Sequence, residues 1–212
     1  SDVVASLGEW MRPAGEFLQV KPTKRTLDFG DDVWVRLGEA EDGATLALAL
    51  TAPITRLVAE SQLTESGAEI SIVIAGGIRG GFKKGKITLR DVLTVLPFGN
   101  TVGIVDIPGA EITALLEKRM LHSADKGGYP IVAGLQLQVD SEAKKLTATI
   151  GGKPLDPKRK YKVALNSYIG SGGTGYPDYI SQGKFSDLSM TDAMLLTSYL
   201  KKKGKIHRNL LR

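Results

Sequence analysis

Apolar residues recur along nearly the whole chain, and their spacing changes from segment to segment. From Glu69 to Ala75 (EISIVIA) they are almost continuous and β-branched, which predicts a short strand buried on both faces. Gly103–Ile107 and Tyr161–Leu165 read as further strands. Leu135, Leu137 and Val139 alternate with Gln136 and Gln138, the period of a strand with one wet face. Leu146–Ile150 is expected to return beside it after a turn over Asp140–Lys144, and Gly151-Gly152 is a two-residue hairpin candidate. Helical spacing joins Ile112, Leu115, Leu116 and Met120 behind Pro108-Gly109. Thr88 with Asp91 has capping-box spacing and opens a short helix that Pro97 must stop. Ser189 with Asp192 has the same spacing before a last helix reaching about Lys203.

The first third is harder to read. Val33, Val35 and Leu37 within Phe29–Leu37 suggest a partly exposed edge strand. Glu41–Leu63 reads as a helix that Pro53 kinks or divides. Strands and helices then alternate without a low-complexity linker. The expected fold is α/β, one domain of mixed sheets with helices outside. Residues 1–40 would be an amino-terminal extension with a candidate edge strand in the same unit, and residues 41–212 the main domain.

Composition narrows the chemistry. Among 212 residues there is no cysteine, so disulfides, thiolate catalysis and Cys-based zinc sites are excluded. The two histidines, His122 and His207, stand in no metal-binding or nucleophile-activating motif. No apolar run is long enough to cross a membrane, and Ser1–Trp10 lacks a secretory leader pattern, although a leader removed earlier is compatible with the sequence. The net charge of +5 owes much to Lys201, Lys202, Lys203, Lys205, Arg208 and Arg212. Without interleaved aromatics this tail reads as a solvated helix end, so nucleic acid is not an expected partner.

Three segments could carry a site. Gly76-Gly77-Ile78-Arg79-Gly80-Gly81 follows the buried strand. Its glycines allow close backbone approach and Arg79 offers a fork for phosphate or carboxylate, but the same residues could form a tight connection joining two layers. Leu96-Pro97-Phe98-Gly99-Asn100 could stack a ring on Phe98 and read its edge with Asn100, or could be a hydrophobic plug with a turn-capping Asn. The glycine-rich stretch Asn166–Gly183 is long for a loop in a compact domain. Within it Tyr168 could form a second plate against a flat ligand, Tyr176 suits the loop base, and a structural role for these aromatics stays open. Asp91 reads as a cap and Asp106 as an alternating strand residue, so neither is singled out as a general base, while metal-independent catalysis by another Asp or Glu stays open.

At AGGIRG, ITLRDVLTVLPFGNTVGIVDIPGAEITALLE and YKVALNSYIGSGGTGYPDY, over about Glu69–Tyr179, the chain resembles the C-terminal domain of the 5'-nucleotidase and UDP-sugar hydrolase family. The resemblance implies a layered α-β-β-α domain with mixed sheets that binds the nucleoside part of a nucleotide for a separate metallophosphatase domain. It implies Phe98 and Tyr168 as the base-stacking plates, Asn100 at the base edge, and Arg79 at phosphate or steadying its loop. Gly76, Gly77, Gly172 and Gly173 would supply the ligand-facing backbone. Thr174 stands where the family's GGDG loop has an acid for the ribose hydroxyls, and Ala44–Leu50 (ATLALAL) lacks the arginines expected of the family's phosphate-binding helix.

The chain carries no metallophosphatase motif, so it implies no cofactor of its own, and divalent metals only where that other domain is present. Three readings follow: a domain that binds a nucleoside or nucleotide-like small molecule without hydrolysing it, the recognition part of a split nucleotidase, or a protein-interaction module. The family also implies a periplasmic or extracellular setting, while a cytoplasmic one stays open.

Overall fold

The computed structural model describes residues 53–82, 87–122, 127–140 and 145–204, together with strand segments 27–28, 35–39 and 45–48. Its elements in chain order are β1 (Leu27–Asp28), β2 (Val35–Glu39), β3 (Thr45–Leu48), α1 (Pro53–Ser66), β4 (Ile70–Ile74), α2 (Leu89–Val95), β5 (Thr101–Pro108) and α3 (Gly109–Leu121). There follow β6 (Pro130–Ala133), β7 (Gln136–Asp140), β8 (Lys145–Ile150), β9 (Lys153–Pro154), β10 (Lys160–Asn166), the single turn α4 (Ser167–Gly170), β11 (Ser186–Thr191) and α5 (Asp192–Lys203).

A five-stranded mixed sheet, ordered β11-β5-β10-β4-β6, organises the molecule. Only β10 and β4 run parallel; the other neighbours are antiparallel. Strict alternation sends Ile70, Ile72, Ile74, Val105, Ile107, Tyr161, Val163 and Leu165 to one face. There they pack with α3 and with Leu137, Leu146 and Ala148 of the antiparallel sheet β1-β7-β8-β9. The opposite face, through Val73 and Ile131, packs under α1, α2 and α5, which contribute Leu57, Val58, Val92, Val95, Leu96, Leu196 and Tyr199. Both sides of β4 are therefore buried, as its unbroken apolar run requires. Burying so many branched side chains at about 25 cal/mol per Å² of apolar surface is the main term holding these layers together. The α/β class with mixed sheets and flanking helices matches the expectation from the sequence.

Several local expectations hold for the stated reasons. Thr88 caps α2 in a full capping box with Asp91, and α2 ends at Val95, before Pro97. The expected face of α3 is buried. Ile150 pairs with Lys153 across Gly151 and Gly152, both at positive φ, as a two-residue hairpin demands.

Three expectations are corrected. Glu41–Leu63 is not one helix: Thr45–Leu48 is a strand paired with Val35–Glu39, and helix begins only at Pro53. Proline has no N–H to give and its φ suits a first helical turn, so Pro53 starts α1 instead of kinking it. The Asn166–Gly183 stretch contains α4, a 3-10 turn at Gly173–Gly175 and a bridge between Ser171 and Asp178. The last helix is capped by Thr191, whose hydroxyl accepts from the Met194 N–H at 3.2 Å. Ser189 instead occupies a bulge at φ 57°, where its N–H donates to Asp187 at 2.7 Å. The lead-in before Leu27, Val33 and Trp34, the centre of the 140–144 turn, and the tail with Lys205, His207, Arg208 and Arg212 lie outside the described residues.

Candidate functional site

Strand direction decides which loops can meet. Asn166 at the end of β10 is the register partner of Val102 near the start of β5, and Thr191 at the end of β11 is the partner of Thr101. The parallel pairing of β4 with β10 sends the chain after Ile74 out at the same end. The Gly76–Arg79 turn, the Pro97–Asn100 loop, α4 with its glycine-rich sequel, and the start of α5 thus share one edge of the sheet. The carboxyl ends of β4, β10 and β11 all point there, a common position for ligand sites in α/β sheets.

Phe98 and Tyr168 are 57% and 45% exposed, unusual for large apolar side chains set on a buried scaffold. Phe98 follows α2, whose Val92, Val95 and Leu96 are anchored in the core. Tyr168 sits between the buried Asn166 and Ile169. A Cβ built on Gly173 would lie 2.6 Å from the Tyr168 ring, so this glycine is needed for the ring to lie against the loop. Arg79 ties its own loop to α2 by donating its backbone N–H to the Val95 carbonyl at 2.9 Å. Its guanidinium, 3.5 Å from the Gly76 carbonyl, stands 6.0 Å from the Phe98 ring centroid, at the limit of cation–π contact.

The glycines divide by role. The Gly76 N–H donates to Gly127 at 2.9 Å and a Cβ there would press on Gly127, so Gly76 permits two main chains to approach. Gly77 completes the same 3-10 turn. Gly172, at φ 85°, donates its N–H to Ile169 at 3.0 Å. Thr174 is left-handed at φ 53°, a strained setting for a β-branched residue. Its hydroxyl donates to the Gly173 carbonyl at 2.7 Å, leaving oxygen lone pairs as its remaining offer to a ligand.

Beneath this surface lie polar groups that sequence reasoning did not assign to the site. Asn166 accepts the Ile169 N–H at 3.0 Å and so caps α4; its place after a buried strand and before Ser-Tyr was the available signal. Asp192 is buried at the first position of α5, and its N–H donates to the Asn100 carbonyl at 3.0 Å. Burial pushes its carboxyl up to about 6, while bonds from the Ala193 N–H and the Asn166 side chain pull the other way. Arg119, buried below the glycine-rich turn, donates to the Gly128 carbonyl at 3.4 Å and stands 5.1 Å from the Tyr176 ring. Tyr176 is buried at the loop base and donates its hydroxyl to the same carbonyl at 3.1 Å. No sequence spacing links residues so far apart in the chain.

Enclosed volume lies elsewhere. A cleft of about 520 Å³ runs along β6 between α1 and Gln136, and one of about 440 Å³ lies beside Asp106, Lys160 and Lys162. Neither is lined by Phe98, Asn100 or Tyr168, and Phe98 and Tyr168 are both exposed. The second cleft is also lined by Glu111, Tyr179 and Lys184. Among the described residues no three His, Asp or Glu side chains cluster to hold a metal ion. His122 is the C-cap of α3, and Asp106 pairs with Lys162 at 3.6 Å.

Comparison with known proteins places the fold in a family. The family model described as "5'-nucleotidase, C-terminal domain" matches residues 37–180. A 5'-nucleotidase of Vibrio parahaemolyticus is 34% identical over 73% of this chain, and the trifunctional nucleotide phosphoesterase protein YfkN of Bacillus subtilis is 36% identical over 66%. The solved structure of a 5'-nucleotidase precursor from Thermus thermophilus superposes with a TM-score of 0.63 at 27% identity, over 73% of this chain and 33% of that one. The chain spans 27% of the Vibrio relative and 10% of the Bacillus one. The match over residues 37–180 also takes in β3, which stands where the resemblance led us to expect an arginine-bearing helix. By sequence and by fold, this chain belongs to the 5'-nucleotidase C-terminal domain family.

Proposed function

We propose that this domain binds the base of a nucleoside or nucleotide between Phe98 and Tyr168. The observation that carries the reading is the exposure of both rings at one end of an otherwise well-packed sheet. An exposed aromatic on a rigid support stacks on a flat ligand at little entropic cost. Asn100 has its backbone carbonyl engaged by Asp192, which holds the residue in place while its side-chain amide serves the base edge. Arg79 backs one side of Phe98 and offers a cation for an attached phosphate. Thr174 offers a sugar hydroxyl one neutral hydrogen bond where an acid would offer a charged, bidentate one, so sugar recognition is weak.

The chemistry of hydrolysis, and the divalent metals it would use, belongs in this reading to a metallophosphatase domain or partner corresponding to the part of the relatives that this chain does not span. Leu89, Leu93 and Met194, all exposed, favour a second reading in which the same edge also contacts protein. A periplasmic or extracellular setting is part of the proposal; among the described residues no helix is long and apolar enough to cross a membrane.

Calorimetric titration with adenosine, AMP and UDP-glucose tests the reading. Saturable binding that weakens about tenfold or more in Phe98→Ala, with the fold retained, is the expected result. No binding by the wild type, or equal binding by the variant, would sink it.

A further inference from the structure

Two glycine-bearing loops of the candidate site rest on the same three residues, the segment Gly127–Tyr129 that leads into β6. The Gly127 carbonyl accepts the Gly76 N–H at 2.9 Å and the Tyr129 carbonyl accepts the Ala75 N–H at 3.0 Å, which seats the turn leading to Arg79. The Gly128 carbonyl, between them in the chain, accepts the Tyr176 hydroxyl at 3.1 Å and the Arg119 Nε–H at 3.4 Å. Tyr176 closes the turn that carries Thr174, because its N–H donates to the Gly173 carbonyl at 3.2 Å. One short segment is thus bonded to both loops.

Core packing does not account for Arg119. It is 6% exposed, on a helix face shared with Ile112, Leu116 and Met120, where an apolar residue would be buried at less cost. A planar guanidinium can instead stack on a ring and donate in its own plane at once. Arg119 does both: it stands 5.1 Å from the Tyr176 ring while it donates to Gly128. Gly175, at φ 79°, lets the turn come close, since a Cβ there would lie 3.5 Å from Arg119 Nη1.

We propose that Tyr176 and Arg119 are positioning residues. By sharing the Gly128 carbonyl they fix the Gly173–Gly175 turn to the segment that also seats the Gly76–Arg79 loop, and so set where Thr174 and Arg79 stand relative to each other. That these two meet the sugar and phosphate of a nucleotide rests on the reading above; the joining of the two loops does not.

Site-resolved amide exchange of the full chain tests the joining without any ligand. Tyr176→Phe keeps the ring and removes the hydroxyl. It is expected to speed exchange at Gly76 and Gly175 together by about fivefold, the equivalent of one buried hydrogen bond. Arg119→Met should act on the same two amides. Tyr179→Phe is the control: it removes a hydroxyl bond to Glu111 at the opposite end of α3, so it lowers Tm and leaves the Gly76 amide unchanged. AMP affinity should also fall about fivefold in Tyr176→Phe, while adenine, which has neither sugar nor phosphate, binds as before. Faster exchange at Gly175 alone, equal opening of Gly76 in Tyr179→Phe, or equal losses for AMP and adenine would overturn the proposal. Joint opening of the two loops in a protein that binds neither compound would uphold the joining and remove only the nucleotide reading.

Discussion

The two ends of the five-stranded sheet solve the same problem, how to finish strands and turn the chain, with opposite chemistry. At the far end, charges meet charges on the surface: Arg159 pairs with Glu69, Lys162 lies 3.6 Å from Asp106, and Arg159 also covers the Tyr161 ring at 4.4 Å. At the Phe98 end the polar groups are buried and the aromatics are outside. Asn166 and Asp192 spend their hydrogen bonds on loop backbones, while Phe98 and Tyr168 face solvent. The far end pairs these charges at its surface beside a 440 Å³ cleft that Lys160 and Lys184 also line. The Phe98 end leaves apolar rings exposed over a hydrogen-bonded foundation, and the proposed ligand site rests on that contrast.

The largest expected effect breaks the far end. Gly134 has φ 83°, and a Cβ there would collide with the Glu69 carbonyl, a main-chain atom that cannot step aside. Gly134→Ala should lose about 3–4 kcal/mol, strain and overpacking combined, measured by urea denaturation. Loss of less than about 1 kcal/mol would mean that this end is not rigid.

The next effect separates the ends by pH. The Asp192 carboxyl titrates at about 6 in the folded chain against 3.8 in the unfolded one, chiefly because it is buried. A raised carboxyl favours folding while protonated. Its contribution is full below about pH 4 and is lost as pH rises through about 6, a change of up to roughly 3 kcal/mol. Glu65, Asp91 and Asp178 are held below their ordinary values by hydrogen bonds and push the opposite way at lower pH. The stability difference between wild type and Asp192→Asn, followed from pH 4 to 7, isolates the first term. A flat difference would show that the near end holds no costly buried charge.

The smallest effect concerns the strained residue of the near end. Asn enters the left-handed region more easily than a β-branched residue does. Thr174→Asn should therefore raise stability by about 0.5–1 kcal/mol while leaving far-end variants unaffected. A fall in Tm would show that the Thr174 hydroxyl bond to Gly173 outweighs the backbone strain.

Much of this was legible in the residues. β4, β5, β10 and the hairpin at Gly151-Gly152 follow from alternation and turn chemistry, and α2 from Thr88, Asp91 and Pro97. The Phe98, Tyr168 and Arg79 loops could be named as candidates. Thr45–Leu48 was misread because a short run of small and apolar residues carries no decisive period, and the pairing with Val35–Glu39 is a non-local decision. Ser189 was mistaken for a cap because Ser-x-x-Asp spacing cannot show that a bulge intervenes.

The sequence by itself determined the α/β class, the cysteine-free chemistry, most helix limits and the residues able to stack or hydrogen-bond a ligand. Those follow from local rules of period, capping and turn preference, which need no partner distant in the chain. Only the tertiary structure decided that three loops and the start of α5 leave the same sheet end, and that Asp192 and Asn166 lie beneath them. Strand order and direction set those meetings, and both depend on how distant apolar faces bury one another.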